Sequence, residues 1–202
     1  MLALVLDTST PAVSAALVDV VDGVGRLLAE RVVVDGRRHG ELLAVGVQEV
    51  LHVGRPEVVV VGVGPGPFTG LRVGIVTGAA LADALGIPAL GVCSLDGLGA
   101  PSTGVVTDAR RREVYWTAYD ASGSRVDGPQ VSVPSVAAQA LSGCARVVGD
   151  GALLYAEAFG GRGGEPRYPS CTRLAEVALS GPSLPLTPLY LRRPDAVATV
   201  DR

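Results

Sequence analysis

PEVVVVGVGPGPFTGLRVGIVTGAALADALGIPALGVCSL, residues 56 to 95, decides the fold. Its first part, Val58 to Val61, is apolar without alternation, as in a strand buried on both faces. Gly64-Pro65-Gly66-Pro67 then breaks the strand. From about Phe68 to Leu85 small and apolar residues recur at helical spacing, and IPALGVCS returns to a strand.

Upstream, LALVL at 2 to 6 and AVSAALV at 12 to 18 flank the turn-prone Asp7-Thr8-Ser9-Thr10-Pro11 and read as a hairpin. RLLAERVVV at 26 to 34 supplies a third strand, and helical spacing near 38 to 53 puts Leu43, Val47, Val50 and Leu51 on one face. Three meandering strands, a helix, a strand, a helix and a strand imply an α/β unit over residues 1 to 103, a mixed sheet with helices packed against it. A second cycle opens at Gly104: GVVTDA, the turn Arg110-Arg111-Arg112, and EVYWTAYD. Short helices are expected near 135 to 142, 152 to 159 and 172 to 180, with a strand at ARVVGDG and a Pro-punctuated tail, PLYLRRPD, closing a smaller unit over 104 to 202. Both halves open strand, Asp-containing turn, strand, which suggests an internal duplication.

With 202 residues, 48% hydrophobic and 18% charged, the chain has enough apolar material for a core, built mainly of aliphatics because aromatics are only 4%. No apolar run reaches the roughly 20 residues that span a bilayer, and MLALVLDTST lacks a basic segment ahead of its apolar stretch, so no membrane association is expected. Cys93, Cys144 and Cys171 are odd in number and widely spaced, as suits reduced thiols in a cytoplasmic protein. All 17 basic residues are Arg. Without Lys there is no Walker-type phosphate site, no Schiff-base chemistry and no Ser-Lys catalysis. A net charge of −3 argues against a chain whose main task is to grip a nucleic-acid backbone.

GVGPGPFTGLRVG at 62 to 74 joins a buried strand to a helix start, where backbone N–H groups and the helix dipole can hold an anion. It matches neither the Walker loop nor GxGxxG, and two prolines remove donors. The reading favoured is a tight strand-to-helix turn whose Gly70, Gly74 and Gly78 let another helix approach closely. The turn at Asp7 to Thr10 can surround a phosphate or hold a metal through water, but Asp, Ser and Thr also suit ordinary turns, and Asp108 in the second half is alike. His39 and His52 lack metal-pair spacing, no GxSxG elbow occurs, and the arginine run reads first as a solvated turn. Tyr115, Trp116 and Tyr119 read as packing residues.

Four segments, LVLDTSTPAVSAAL, GVGPGPFTGLRVGIVTGAALADALGIPALGVCSL, DARRREVYWTAYD and PLYLRRPD, together resemble the bacterial TsaB family, also known as YeaZ. The resemblance runs through almost the whole chain. It implies an actin-like, Hsp70-like fold of two lobes, each with a five-stranded mixed sheet flanked by helices. It also implies a non-catalytic subunit, the degenerate sister of TsaD, acting beside TsaD and the ATPase TsaE to make threonylcarbamoyladenosine next to the anticodon of transfer RNA. On that resemblance the chain dimerises in isolation, packs against TsaD through its first two helices, and reaches transfer RNA only through the complex. The candidate interface is then Leu43, Val47, Val50, Gly70, Arg72, Gly74 and Gly78. Asp7, Thr8 and Gly66 are the candidate remnants of a nucleotide pocket. No metal site, no catalytic residue and no cofactor of its own are expected, ATP or ADP belonging to the complex. Two other readings stand beside this one: an actin-like small-molecule kinase with Asp7 and Asp108 organising magnesium-nucleotide, and a peptidase-like hydrolase acting on a partner.

Overall fold

The computed structural model describes residues 1–192, so Arg193, Pro194 and Asp195 of the PLYLRRPD segment lie outside the described residues. The first sheet has strand order β3-β2-β1-β4-β5, from β1 (Leu2–Asp7), β2 (Ala12–Val21), β3 (Val24–Val34), β4 (Val58–Gly62) and β5 (Ala89–Val92). β1 lies antiparallel to β2, Leu4 opposite Leu17, and parallel to β4, Leu4 opposite Val59. Period-two alternation sends Leu4 and Leu6 to one face and Ala3 and Val5 to the other.

Both faces are covered, so β1 as far as Leu6 and β4 as far as Val61 are apolar throughout. Helices α1 (His39–Leu51) and α2 (Phe68–Leu85) cover the first face, where Leu43, Val47, Leu71 and Ile75 meet Leu4, Leu17 and Val61. Helix α5 (Cys171–Ser180) covers the second with Cys171, Leu174, Ala175 and Ala178. This corrects the division after residue 103 in one respect. The chain beyond residue 170 packs under the first sheet, and Leu184 continues past it to pair with Gly91 at the edge of β5.

The second sheet, order β10-β9-β6-β7-β8, consists of β6 (Thr103–Asp108), β7 (Val114–Tyr119), β8 (Arg125–Ser132), β9 (Arg146–Val148) and β10 (Gly163–Gly164). Helices α3 (Pro134–Ala140) and α4 (Asp150–Leu154) cover one face with Leu141 and Phe159. The other face rests on Cys93, Leu95 and Leu98, around the single 3-10 turn Ser94–Gly97 that joins the halves. Pairing senses repeat those of the first sheet: β6 is antiparallel to β7 and parallel to β9. Strand β8, unexpected from sequence, is an edge strand carrying Gly128 and Pro129, tolerable there because an edge leaves ladder positions unpaired.

Candidate partner interface

Asp7 closes β1 and is 1% exposed. Its Oδ1 accepts from Ser9 N at 3.0 Å and from Ser9 Oγ at 2.7 Å, an Asx-type turn that uses the carboxylate locally. Burial pushes the Asp7 carboxyl above its ordinary range, opposed by the nearby Ser94 hydroxyl and by hydrogen bonds from Ser9. Thr8, fully buried, donates from Oγ1 to Gly70 O at 2.7 Å. A Cβ at Gly66 would collide with Ser9 O. Asp7, Thr8 and Gly66, expected as nucleotide remnants, are therefore inside the chain, with the start of helix α2 seated on them. Asp7 Oδ1 and Thr8 Oγ1 are hydrogen-bonded, while Asp7 Oδ2 is buried without a hydrogen-bond partner among the described residues.

The glycine stripe explains that seating. Gly70, Gly74 and Gly78 fall four residues apart on one face of α2. A Cβ at Gly70 would lie 2.5 Å from Thr8 O, while those at Gly74 and Gly78 would strike Thr8 Oγ1 and Val61 Cγ2. The close neighbour these glycines admit is not another helix but the chain's own β1–β2 turn and strand β4, which corrects both that expectation and their assignment to a partner. Leu43, Val47 and Val50 are corrected likewise: at 1%, 6% and 2% exposure they lie in the core beneath α1. A charge at Gly74 would test folding, not docking. By length and composition α2 is apolar enough to cross a membrane, but one face is committed to this sheet.

Of the expected interface residues only Arg72 points outward. Its guanidinium lies 3.7 Å over the Phe68 ring, and Nε donates to Tyr190 Oη at 3.1 Å. Tyr190 stacks on Phe68 with centroids 4.6 Å apart. Val76, one turn further on, is 66% exposed, and Val45 on α1 is 46% exposed. The outward strip Phe68, Arg72, Val76 at i, i+4 and i+8 was present in the sequence, but Tyr190 joins it from across the fold and no local pattern announced that.

Around the start of α2 lies a cleft of about 380 Å³, lined by Thr10, Arg37, His39, Phe68 and Arg110. Arg110 sits on the turn after β6, where Arg110, Arg111 and Arg112 all have positive φ, a left-handed run that costs side chains of this kind free energy. Arg110 pairs with Asp108 at 3.3 Å, and His39 Nε2 is 3.2 Å from Thr10 O. Neither Asp7, Thr8 nor Gly66 lines this cleft. Among the described residues no three His, Cys, Asp or Glu side chains gather as a metal set.

A chain in which β-β-β-α-β-α-β occurs twice, with equal strand order in both sheets, has the actin-like ATPase fold. The family described as "TsaD: tRNA N6-adenosine threonylcarbamoyltransferase" matches residues 34–163. YeaZ from Pseudomonas aeruginosa superposes with a TM-score of 0.76 at 28% identity, over 94% of this chain and 99% of that one. An uncharacterized protein of Mycobacterium tuberculosis is 48% identical over 202 residues, 96% of this chain and 92% of that protein, and one of Mycobacterium leprae is 46% identical but is covered over 55% of its length. The chain belongs to the TsaD family of the tRNA modification system, as a YeaZ-like (TsaB-like) member.

Proposed function

We propose that the chain is a non-catalytic scaffold that docks a TsaD-type catalytic subunit through the outward faces of α1 and α2. The observation that carries this reading is the two-sidedness of α2. Its glycine face is used up by the sheet, while Phe68, Arg72 and Val76 form an exposed apolar strip with one cation at its centre. Aromatic residues and Arg are the types that anchor protein interfaces. The burial of Asp7, Thr8 and Gly66 favours a scaffold over a kinase, which needs its first hairpin turn open to phosphate. TsaE is the further partner, transfer RNA is reached through the complex, the same face serves homodimers in isolation, and the cytoplasm is the compartment.

Threonylcarbamoyl transfer to unmodified transfer RNA, measured with TsaD, TsaE and the adenylate-forming enzyme in the presence and absence of this chain, tests the role. Modification should require the chain, and the chain alone should produce none. Transfer by the chain alone, or undiminished modification without it, rejects the scaffold reading.

A further inference from the structure

We propose that a second cleft, between the halves and at the end of β7 away from the Asp108 turn, binds a small organic anion with an apolar body. Strand β7 runs from Val114 beside the arginine turn to Tyr119 at its other end, and this cleft lies at the Tyr119 end. Its volume, about 570 Å³, falls within the range of small-molecule sites.

The first half contributes Arg173 and Val177 from α5 and Asp96 from the 3-10 turn, and the second contributes Tyr119 and Arg125. Leu184 from the segment after α5 completes an apolar wall with Val177. Asp96 is spoken for: Tyr119 Oη donates to its Oδ1 at 2.6 Å, and Arg125 Nε lies 3.7 Å from the same oxygen. That network holds Arg125 in place. Arg173 binds Glu176 through Nη1 at 3.3 Å, yet its Nε is buried with no hydrogen-bond partner among the described residues. The Arg173 side chain as a whole is 40% exposed, and a guanidinium carries five N–H donors, so the pair with Glu176 leaves donors for a ligand in the cleft.

Each guanidinium is fixed by one carboxylate, Arg173 by Glu176 and Arg125 by Asp96, and it is the donors left over on the two forks that suit an anion. The planar donor fork of Arg suits a carboxylate or a phosphate monoester, and the Val177–Leu184 wall suits an aliphatic or aromatic body. Arg173 is carried by α5 beneath the first sheet and Arg125 by β8 of the second. A ligand held by both ties the two halves together, which gives the site a means of biasing their relative position. This site shares no residue with the partner face and does not rest on the scaffold reading.

Titration of the isotope-labelled full chain with benzoate, phenyl phosphate and the uncharged control benzyl alcohol, followed by amide NMR, tests the proposal. Saturable shifts are expected at Tyr119, Gly123, Arg125, Val177 and Ser183 with at least one of the anions, whichever binds tighter identifying the head group. Benzyl alcohol should bind about tenfold or more weakly, as should the better anion to Arg173→Gln, the loss of one charge-assisted hydrogen bond. Val177→Phe, which keeps both guanidiniums and fills the wall, should abolish the shifts with the fold intact by its spectrum. Absence of saturable shifts, shifts centred elsewhere, equal binding of benzyl alcohol, or unchanged affinity in a folded Arg173→Gln variant would overturn it.

Discussion

The two halves follow one plan with different helices. In the first, the connections into and out of β4 are helices of 13 and 18 residues; in the second, those flanking β9 are of 7 and 5. Both seat their second helix on the preceding hairpin through glycine. Gly70 meets Thr8, and a Cβ on Gly151 would come within 2.7 Å of the Thr107 backbone. The hairpin turns share an Asx-type bond, Ser9 N to Asp7 Oδ1 and Arg110 N to Asp108 Oδ1, but Asp7 is fully buried whereas Asp108 is 12% exposed and pairs with the exposed Arg110. A long helix can line up exposed residues over several turns once its sheet face is satisfied, whereas the short α3 and α4 expose single large apolar residues, Val136 and Leu154. A strip at i, i+4 and i+8, as from Phe68 to Val76, needs more than two turns of helix and so has room on α2 but not on α3 or α4.

The comparison can be broken first in the cores. Leu43→Ala removes a fully buried side chain from beneath a long, anchored helix and should cost about 3–5 kcal/mol by urea unfolding, because the void cannot collapse. Leu141→Ala, beside the seven-residue α3, should cost about 2–3 kcal/mol because a short helix can settle. Equal losses would remove the distinction in rigidity. Gly66→Ala should cost about 1–3 kcal/mol, since Ser9 O is backbone and cannot yield easily, while Gly143→Ala in the second half meets nothing within 4 Å and should lie within about 0.5 kcal/mol of the parent.

A smaller effect reads the Asp7 turn by pH. With the Asp7 carboxyl raised above its ordinary value of 3.8, the folded chain retains a proton that the unfolded chain releases. The stability this contributes is complete below the ordinary carboxylate range and is lost as pH rises through the folded value. Asp7→Asn should therefore flatten the decline in urea midpoint with rising pH; an unchanged slope would mean that Asp7 is ionised in the folded chain. The least effect on stability is expected from Val76→Glu, within about 0.5 kcal/mol of the parent. Its consequence should appear instead as lost co-purification with TsaD, and a variant that still binds would clear α2 of the docking role.

Long apolar runs and helical spacing made the first half legible, including the bounds of α2 and the shared face of Leu43, Val47 and Val50. What periodicity cannot supply is the identity of the surface that covers such a face. The same spacing serves a partner helix and an underlying sheet, and here the sheet has it. Glycines at 70, 74 and 78 carried the same ambiguity. Strand β8 was hidden by Gly128 and Pro129, and β10, of two residues, is too short to pattern. Tyr190 reaches Phe68 across 122 positions of chain, a relation fixed only by tertiary packing.

Helix α5 imposes an order on synthesis. The second face of the first sheet, with Ala3, Val5, Ala16 and Val60, is covered by side chains that begin at Cys171. A nascent chain that has completed all five strands of that sheet still presents an apolar surface, and most of the polypeptide must leave the ribosome before the cover arrives. Contacts of such long sequence separation slow folding. A fragment ending near residue 103 is accordingly an aggregating half, and the native architecture closes its first-made layer with a helix made last among those described.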